Sequence, residues 1–435
     1  MTIQPPPPID YAGIGKTFAA HAELRSVEQD GRYLHWDELR HRDVPTGLTH
    51  ESWWSLVKLT RGSLEQQVPI RTGPELWFVM TNTVQRLVHE IDRDASGRIE
   101  VPEPVANEET RDRYVMSSLI EEAFRSSQLE GASTTRYVAA EMIRTRRAPR
   151  TNSERMILNN FRAMEWAREN KNRPLDIGML RELHAIVTAD TLDVPDGAGR
   201  FRRSDEIVQV MDETRGEVVH TPPGAELIPP PMADLCSFAN ETTSDEPFIH
   251  PVVRAILLHF WLAFDHPFVD GNGRTARALF YWSMLRQGYW LTELISISSV
   301  IKKARAKYER AFVYTETDGN DTTYFLLHQL GVLREAIGEL FAHLKRKAAE
   351  TRSLEARYQG TTALNTRQLA ALGYISKHPD AVLTIEGHQH SHGVVYQTAR
   401  TDLLGMVKTG YLRQTKSGKK LVFTAATKPK HSKKR

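Results

Sequence analysis

The sequence predicts a mainly α-helical protein with a small β-hairpin in its middle and a mixed helix-and-strand unit at its C-terminal end. Three observations lead there. Apolar residues recur at three-to-four spacing over most of residues 107–351. Strand-like runs are short and confined to 207–220 and to the last sixty or so residues. The length of 435 residues exceeds what one hydrophobic core organises, so two or three domains are expected.

The elements follow in order. Residues 1–105 mix short helical patterns with Pro-containing breaks, and the prolines at 5–8 form an extended leader. A helix is expected over 107–144, ended or kinked at Gly131, then helices over 153–169 and 177–187 and a Pro/Gly-rich break at 194–203. Residues 207–210 and 217–220 flank a turn at 212–216 and predict a hairpin. A loop at 221–231 precedes helices at 232–240, 251–264, 274–287, 302–315 and 323–351. The C-terminal end reads helix (366–377), strand (383–385), short helix or turn (386–392), amphipathic helix (396–410) and a hairpin (412–423) turning at Ser417-Gly418.

Bulk properties narrow the classes. The single cysteine, Cys236, excludes an intramolecular disulfide framework and fits a reducing compartment. The start, MTIQPPPPID, lacks the basic and apolar regions of a signal peptide. The longest apolar stretch, near 255–264, is about half a bilayer span. A cytoplasmic protein with no membrane partner is expected. The net charge of +3 conceals an asymmetry: residues 361–435 hold 13 Lys or Arg against 3 Asp or Glu, so the body is acidic and the end basic. A basic end points to a partner of its own, nucleic acid first.

The densest chemistry lies in His266-Pro-Phe-Val-Asp270-Gly271-Asn272-Gly273-Arg274-Thr-Ala-Arg277. Placed between two helices, Gly271 and Gly273 let backbone approach a ligand, and free N–H groups at the second helix start form an anion cradle. Arg274 and Arg277 are three apart, share a helix face and reach one polyphosphate. Asp270 suits a Mg²⁺ ion bound to phosphate oxygens. Asn272 offers phosphate a neutral hydrogen bond. His266 is placed to take a proton from an incoming hydroxyl.

This run resembles the Fic signature H-x-F-x-D/E-G-N-G-R-x-x-R at every specified position, and the resemblance extends over about residues 110–350. It implies a helical core and transfer of AMP from ATP to a Ser, Thr or Tyr hydroxyl of a protein, which could be the chain itself. Carried over, His266 is the general base and Asp270 the Mg²⁺ ligand; Gly271, Asn272 and Gly273 form the anion hole, and Arg274 and Arg277 hold the outer phosphates. The 205–220 hairpin resembles the family's flap, which docks a target segment by strand addition. Tyr308 and Phe312 resemble the part lining the adenine. Ser126-x-x-x-Glu130-Gly131 matches the inhibitory pattern S/T-x-x-x-E-G/N, on a helix at about 112–131 that precedes the Fic core. The expectation is a Glu130–Arg277 ion pair that occupies the γ-phosphate arginine. The same carboxylate beside a metal fits AMP removal as well, and the sequence leaves both open, as it leaves open another nucleotide donor.

On these readings the chain divides into an N-terminal region (1–105), a Fic domain (106–352), a C-terminal domain (360–426) and a basic tail (427–435). The C-terminal order resembles a winged helix-turn-helix, with its recognition helix at 396–406. Tyr396, Gln397 and Arg400 would face DNA from that helix and Lys416, Lys419 and Lys420 from the wing, although such domains also bind protein. A DNA-binding regulator whose core senses nucleotide is the alternative to a transferase. The sequence also leaves room for a homodimer.

Overall fold

The structure is a computed structural model describing residues 3–11, 21, 24, 26–95, 108–212, 216–242, 245–358, 364–377, 381–392, 394–417 and 420–426. Its elements are α1 (Trp36–Leu39), α2 (His50–Gly62), β1 (Glu65–Gln67), β2 (Trp77–Val79), α3 (Asn82–Ala95), α4 (Glu108–Leu129), α5 (Arg136–Thr145), α6 (Asn152–Glu169) and α7 (Ile177–Thr188). The hairpin β3 (Val210–Asp212) and β4 (Glu217–His220) follows, then α8 (Pro229–Asn240), α9 (Pro251–Asp265), α10 (Asn272–Arg286), α11 (Ile297–Lys303), α12 (Arg305–Thr317) and α13 (Thr323–Tyr358). Last come α14 (Thr366–Lys377), β5 (Leu383–Thr384), α15 (Ile385–His392), α16 (Tyr396–Lys408), β6 (Leu412–Ser417) and β7 (Lys420–Ala425). None of the described helices is long and apolar enough to cross a membrane.

Two compact units result. One comprises residues 1–99 and 119–337, the other 100–118 and 338–435. The first centres on α9 and α10. Nearly every residue of α9 is buried, including Trp261, and α10 is buried from Arg274 to Leu285. A helix apolar on all sides is stable only when neighbours surround it. Each fully buried Leu, Ile or Phe in it contributes about 1.5–3 kcal/mol relative to exposure.

Local chemistry sets the ends. Pro251 sits in the first turn of α9, where its missing N–H costs nothing, and His250 Nδ1 accepts from Val252 N. α4 stops where Gly131 takes φ 87°, with Ala132 N donating to Ser127 O and Gly131 N to Gln128 O. That Schellman closure leaves Glu130 at the helix end.

Several boundaries differ from expectation. The expected helix at 302–315 is two, broken at Ala304 (φ −139°, ψ 48°). α8 begins three residues earlier than Met232, because Pro229 and Pro230 fit a first turn that needs no N–H donor. The first hairpin strand is Val210–Asp212, displaced toward the turn from 207–210, and a register irregularity lies between Val210 and Met211.

The N-terminal residues belong to the same compact unit as the central helices. Arg61 is fully buried with its guanidinium 3.5 Å from the Tyr33 ring, and it donates to Leu34 O and Tyr324 Oη. Tyr33 donates to Asp321 and Lys58 pairs with Asp318 at 2.8 Å, tying α2 to the α12–α13 connection. A buried cation so surrounded is satisfied rather than costly.

In the second unit β5, β7 and β6 form an antiparallel sheet in that order, with Leu383 opposite Phe423 and Leu412 opposite Ala425. Ala371, Leu372, Ile375, Ala399, Leu403, Met406 and Phe423 fill its core. Buried Asp402 of α16 receives Arg367 Nε and Asn365 Nδ2, both at 2.7 Å, pinning α14 to α16.

Candidate active site

The loop 266–271 is shaped from within. His266 ends α9 in the left-handed region (φ 47°), and Gly271 opens α10 at φ 80°. A Cβ on Gly271 would lie 2.6 Å from Thr188 Cγ2, so backbone freedom and space both demand glycine there. Phe268 is fully buried and stacks on His184 with centroids 3.7 Å apart. Asn272 has a structural part as well: its Oδ1 accepts from Phe268 N at 3.0 Å and its Nδ2 donates one hydrogen to Phe268 O at 2.9 Å, so the side chain staples the loop. Its backbone N–H lies in the first turn, where no helix carbonyl reaches.

His266 Nδ1 lies 3.0 Å from Ala263 O. A carbonyl only accepts, so Nδ1 carries the proton and Nε2 keeps a lone pair. Burial pulls the pKa down to about 4, with Glu130 opposing weakly, so the ring is neutral at neutral pH. Arg202 Nε donates to His266 O at 3.0 Å and Arg202 N to Pro267 O at 2.9 Å, holding the backbone that follows that ring.

Asp270 is exposed; its Oδ1 accepts from Gly271 N at 2.6 Å and its Oδ2 from Arg274 at 3.2 Å. Among the described residues no group of three His, Cys, Asp or Glu could hold a metal by itself. One exposed carboxylate at an anion cradle does fit a Mg²⁺ carried mostly by phosphate oxygens and water. Arg274 is buried, donates to Val187 O at 3.2 Å, and its Nε has no protein partner.

Arg277, also buried, is held by the end of α4 through two of its three nitrogens. Its Nε donates to Ser126 Oγ at 2.8 Å, and its terminal nitrogen to Ser126 O at 3.1 Å and Glu130 Oε1 at 2.7 Å. Burial works to raise the Glu130 pKa, but Arg277 and then Arg274 outweigh it, and the carboxylate is held below its ordinary value. Gly273 makes room: a Cβ there would lie 2.4 Å from Glu130 Oε1.

Residues 174–284 match the Fic/DOC family. Over 212 residues it is 26% identical to a protein adenylyltransferase Fic of Nematostella vectensis, covering 47% of this chain and 46% of that protein. Over 171 residues it is 32% identical to one from Drosophila virilis, covering 38% and 33%. The chain thus spans less than half the length of these relatives. A solved Fic family protein from Desulfovibrio desulfuricans shares the fold, with a TM-score of 0.52, 22% identity, and coverage of 81% of this chain and 98% of that one.

Around the Fic core the remaining expected residues fall as follows. The hairpin pairs Met211 with Val218 and Asp212 with Glu217, and leaves Ile207, Met211 and Val218 exposed. His220 at its end faces Glu316 Oε2 (2.8 Å) from Nδ1 and Phe264 O (2.6 Å) from Nε2. Both partners accept, so the ring is an imidazolium. Burial works against that charge, but Glu316 outweighs it and raises the pKa above 6.5. A cavity of about 310 Å³ is lined by Val218, His220, Thr221, Phe264 and Glu316. Tyr308 and Phe312 lie in an aromatic cluster: Tyr308 Oη is 3.0 Å from His259 Nε2, and Phe312 stacks on Phe260 with centroids 5.3 Å apart. These contacts make Phe312 a packing residue first.

In the second unit Tyr396, Gln397, Arg400 and Lys416 are exposed. Lys420 begins β7, while Lys419 and the tail 427–435 lie outside the described residues.

Sequence reasoning missed four residues here: His184, Arg202, His220 and Glu122. Glu122 is buried on α4 and accepts from Tyr281 Oη, Ser296 Oγ, Ser298 N and Ser298 Oγ. Only its place two turns before Glu130, on the stripe that holds Ser126, hinted at a role.

Proposed function

We propose that this chain transfers AMP from ATP to a hydroxyl of a protein, and that Glu130 restrains it. The observation that carries the reading is His266, whose Nδ1–H is fixed on Ala263 O so that Nε2 is a lone-pair base beside the backbone cradle of α10. In the reaction His266 Nε2 takes the hydroxyl proton as that oxygen bonds to the α-phosphorus. The bond from the α-phosphorus to the bridging oxygen breaks, and pyrophosphate leaves with the electron pair. Backbone N–H groups of Gly271, Asn272 and Gly273 receive the developing charge. Asp270 would hold Mg²⁺, which when bound neutralises charge on the phosphate oxygens. Arg274 and Arg277 clasp the outer phosphates once free of Asp270 and Glu130. Tyr308 and Phe312 line the base. The hairpin 207–220 presents its exposed strand edge to the target.

The Glu130 contact supports the restraint, because Ser126 and Glu130 hold the Nε and one terminal nitrogen of Arg277 that would otherwise serve phosphate. Incubating wild type, Glu130→Gly and Glu130→Gly/His266→Ala with Mg²⁺ and ATP, then weighing intact protein, tests the reading. A gain of one AMP in Glu130→Gly alone is expected. No gain in any variant overturns it. A second reading draws on the ionised Glu130 carboxylate being felt electrostatically at His266: such a group orients water for AMP removal. Loss of AMP from modified protein given to wild type, but not to Glu130→Gly, is its test.

We propose further that the 360–426 region is a winged helix-turn-helix that binds DNA through Tyr396, Gln397 and Arg400, with Lys416, Lys419 and Lys420 on backbone phosphates. Helix–strand–helix–helix–hairpin order and the exposure of those α16 residues support it.

A further inference from the structure

We propose that His184 is a positioning residue: it sets the direction in which the Gly271 N–H points and so completes the phosphate cradle, an inference that rests on the nucleotide-binding reading above. His184 lies on α7, 86 residues before Asp270, and is fully buried. Its Nδ1 receives Gly199 N at 3.0 Å, and its Nε2 meets Asp270 O at 2.9 Å. A backbone N–H only donates and a carbonyl only accepts. The two contacts therefore fix one species, the neutral ring protonated at Nε2.

The consequence follows from peptide geometry. The Asp270–Gly271 peptide is planar and trans, so its C=O and N–H point in opposite directions. Anchoring the carbonyl on His184 turns the Gly271 N–H away from α7, toward the side where the Asp270 carboxylate stands. That N–H rests on Asp270 Oδ1 at 2.6 Å. When Asp270 turns to a cation, the N–H is left aimed at the phosphate the cation brings. Without the anchor, Gly271 has no side chain to resist rotation of this peptide.

The ring itself is clamped. Phe268 lies flat against it, with planes 3° apart. Thr188, one turn on, abuts the Gly271 Cα, where a Cβ would meet its Cγ2 at 2.6 Å. Arg274 binds Val187 O on the same stretch of α7. Residues 184, 187 and 188 thus form one helical face against which the cradle is set.

The test uses the full chain carrying Glu130→Gly, so that Arg277 is free. ATP affinity with Mg²⁺ is measured by calorimetry for this parent and for His184→Gln, His184→Asn and His184→Leu, with thermal unfolding alongside. A Gln amide nitrogen reaches the place of Nε2 and still donates to Asp270 O; the shorter Asn does not reach, and Leu has no donor. The expected result is His184→Gln within about threefold of the parent, and His184→Asn and His184→Leu weaker by about tenfold or more, near one charge-assisted hydrogen bond. His184→Gln as weak as His184→Asn, or both at parental affinity, overturns the inference. If His184→Leu fails to fold, the Gln–Asn pair decides. A parent that binds ATP but gains no AMP counts against AMP transfer and leaves this comparison readable.

Discussion

His266 and Glu130 are 136 residues apart and each is given its character by what surrounds it. For His266 that is burial, which lowers the pKa to about 4. A base works when unprotonated, so transfer by Glu130→Gly should hold level from pH 8 down to about 5.5 and fall only below about pH 5. An ordinary histidine would lose half its base near pH 6.5, so a pH–rate profile separates the two. His266→Ala should abolish transfer while ATP affinity, read by calorimetry, stays within about threefold of its parent, since the ring meets the hydroxyl and not the phosphates. At Gly271 the backbone is the constraint: φ is 80° and Thr188 fills the space a Cβ needs. Gly271→Ala should cost about 1–3 kcal/mol of stability in a denaturant titration, and more if Thr188 cannot shift.

At the scale of elements, α4 is fastened to α10 and the start of α11 along one stripe: Glu122 on Tyr281 and the 296–298 turn, Ser126 and Glu130 on Arg277. Glu122→Ala leaves several buried donors without their acceptor. A loss of about 2–4 kcal/mol is expected in denaturant unfolding. Self-modification should rise as Glu130 loses its register, which intact mass reads. The hairpin is fastened differently, by charged His220. A histidine with a raised folded-state pKa contributes stability that is fully present below its ordinary 6.5 and is lost as pH rises through the raised value. Protection of β3–β4 amides from hydrogen exchange, corrected for intrinsic rate, should therefore drop above neutral pH. His220→Gln should remove that dependence.

At the scale of the whole molecule, the acidic body and basic end are now two compact units with separate cores. DNA binding by the full chain should weaken steeply with salt, because the contributing charges are lysines and arginines. Arg400→Ala should weaken it by about fivefold, near 1 kcal/mol. A mobility shift unaffected by either change would count against DNA as the partner of the C-terminal residues. The first 95 residues carried no motif, and within them Arg61, Tyr33 and Lys58 close the α12–α13 connection by contacts that span the chain.

The sequence by itself determined most of the central helices, the 207–220 and 412–423 hairpins and the 266–277 loop, because each depends on partners a few residues away, but it did not show the antiparallel pair of β1 (Glu65–Gln67) with β2 (Trp77–Val79). Even within that loop the staple from the Asn272 amide to Phe268 was not legible, since it depends on where Phe268 is buried. Glu130 against Arg277 was legible only through a family pattern, being 147 residues apart. His184 beneath Asp270, Arg202 behind His266 and Glu122 under Tyr281 were decided by tertiary structure alone. Their contacts exist only once α4, α7 and α10 have packed, and nothing in local spacing encodes which buried polar groups will meet across that packing.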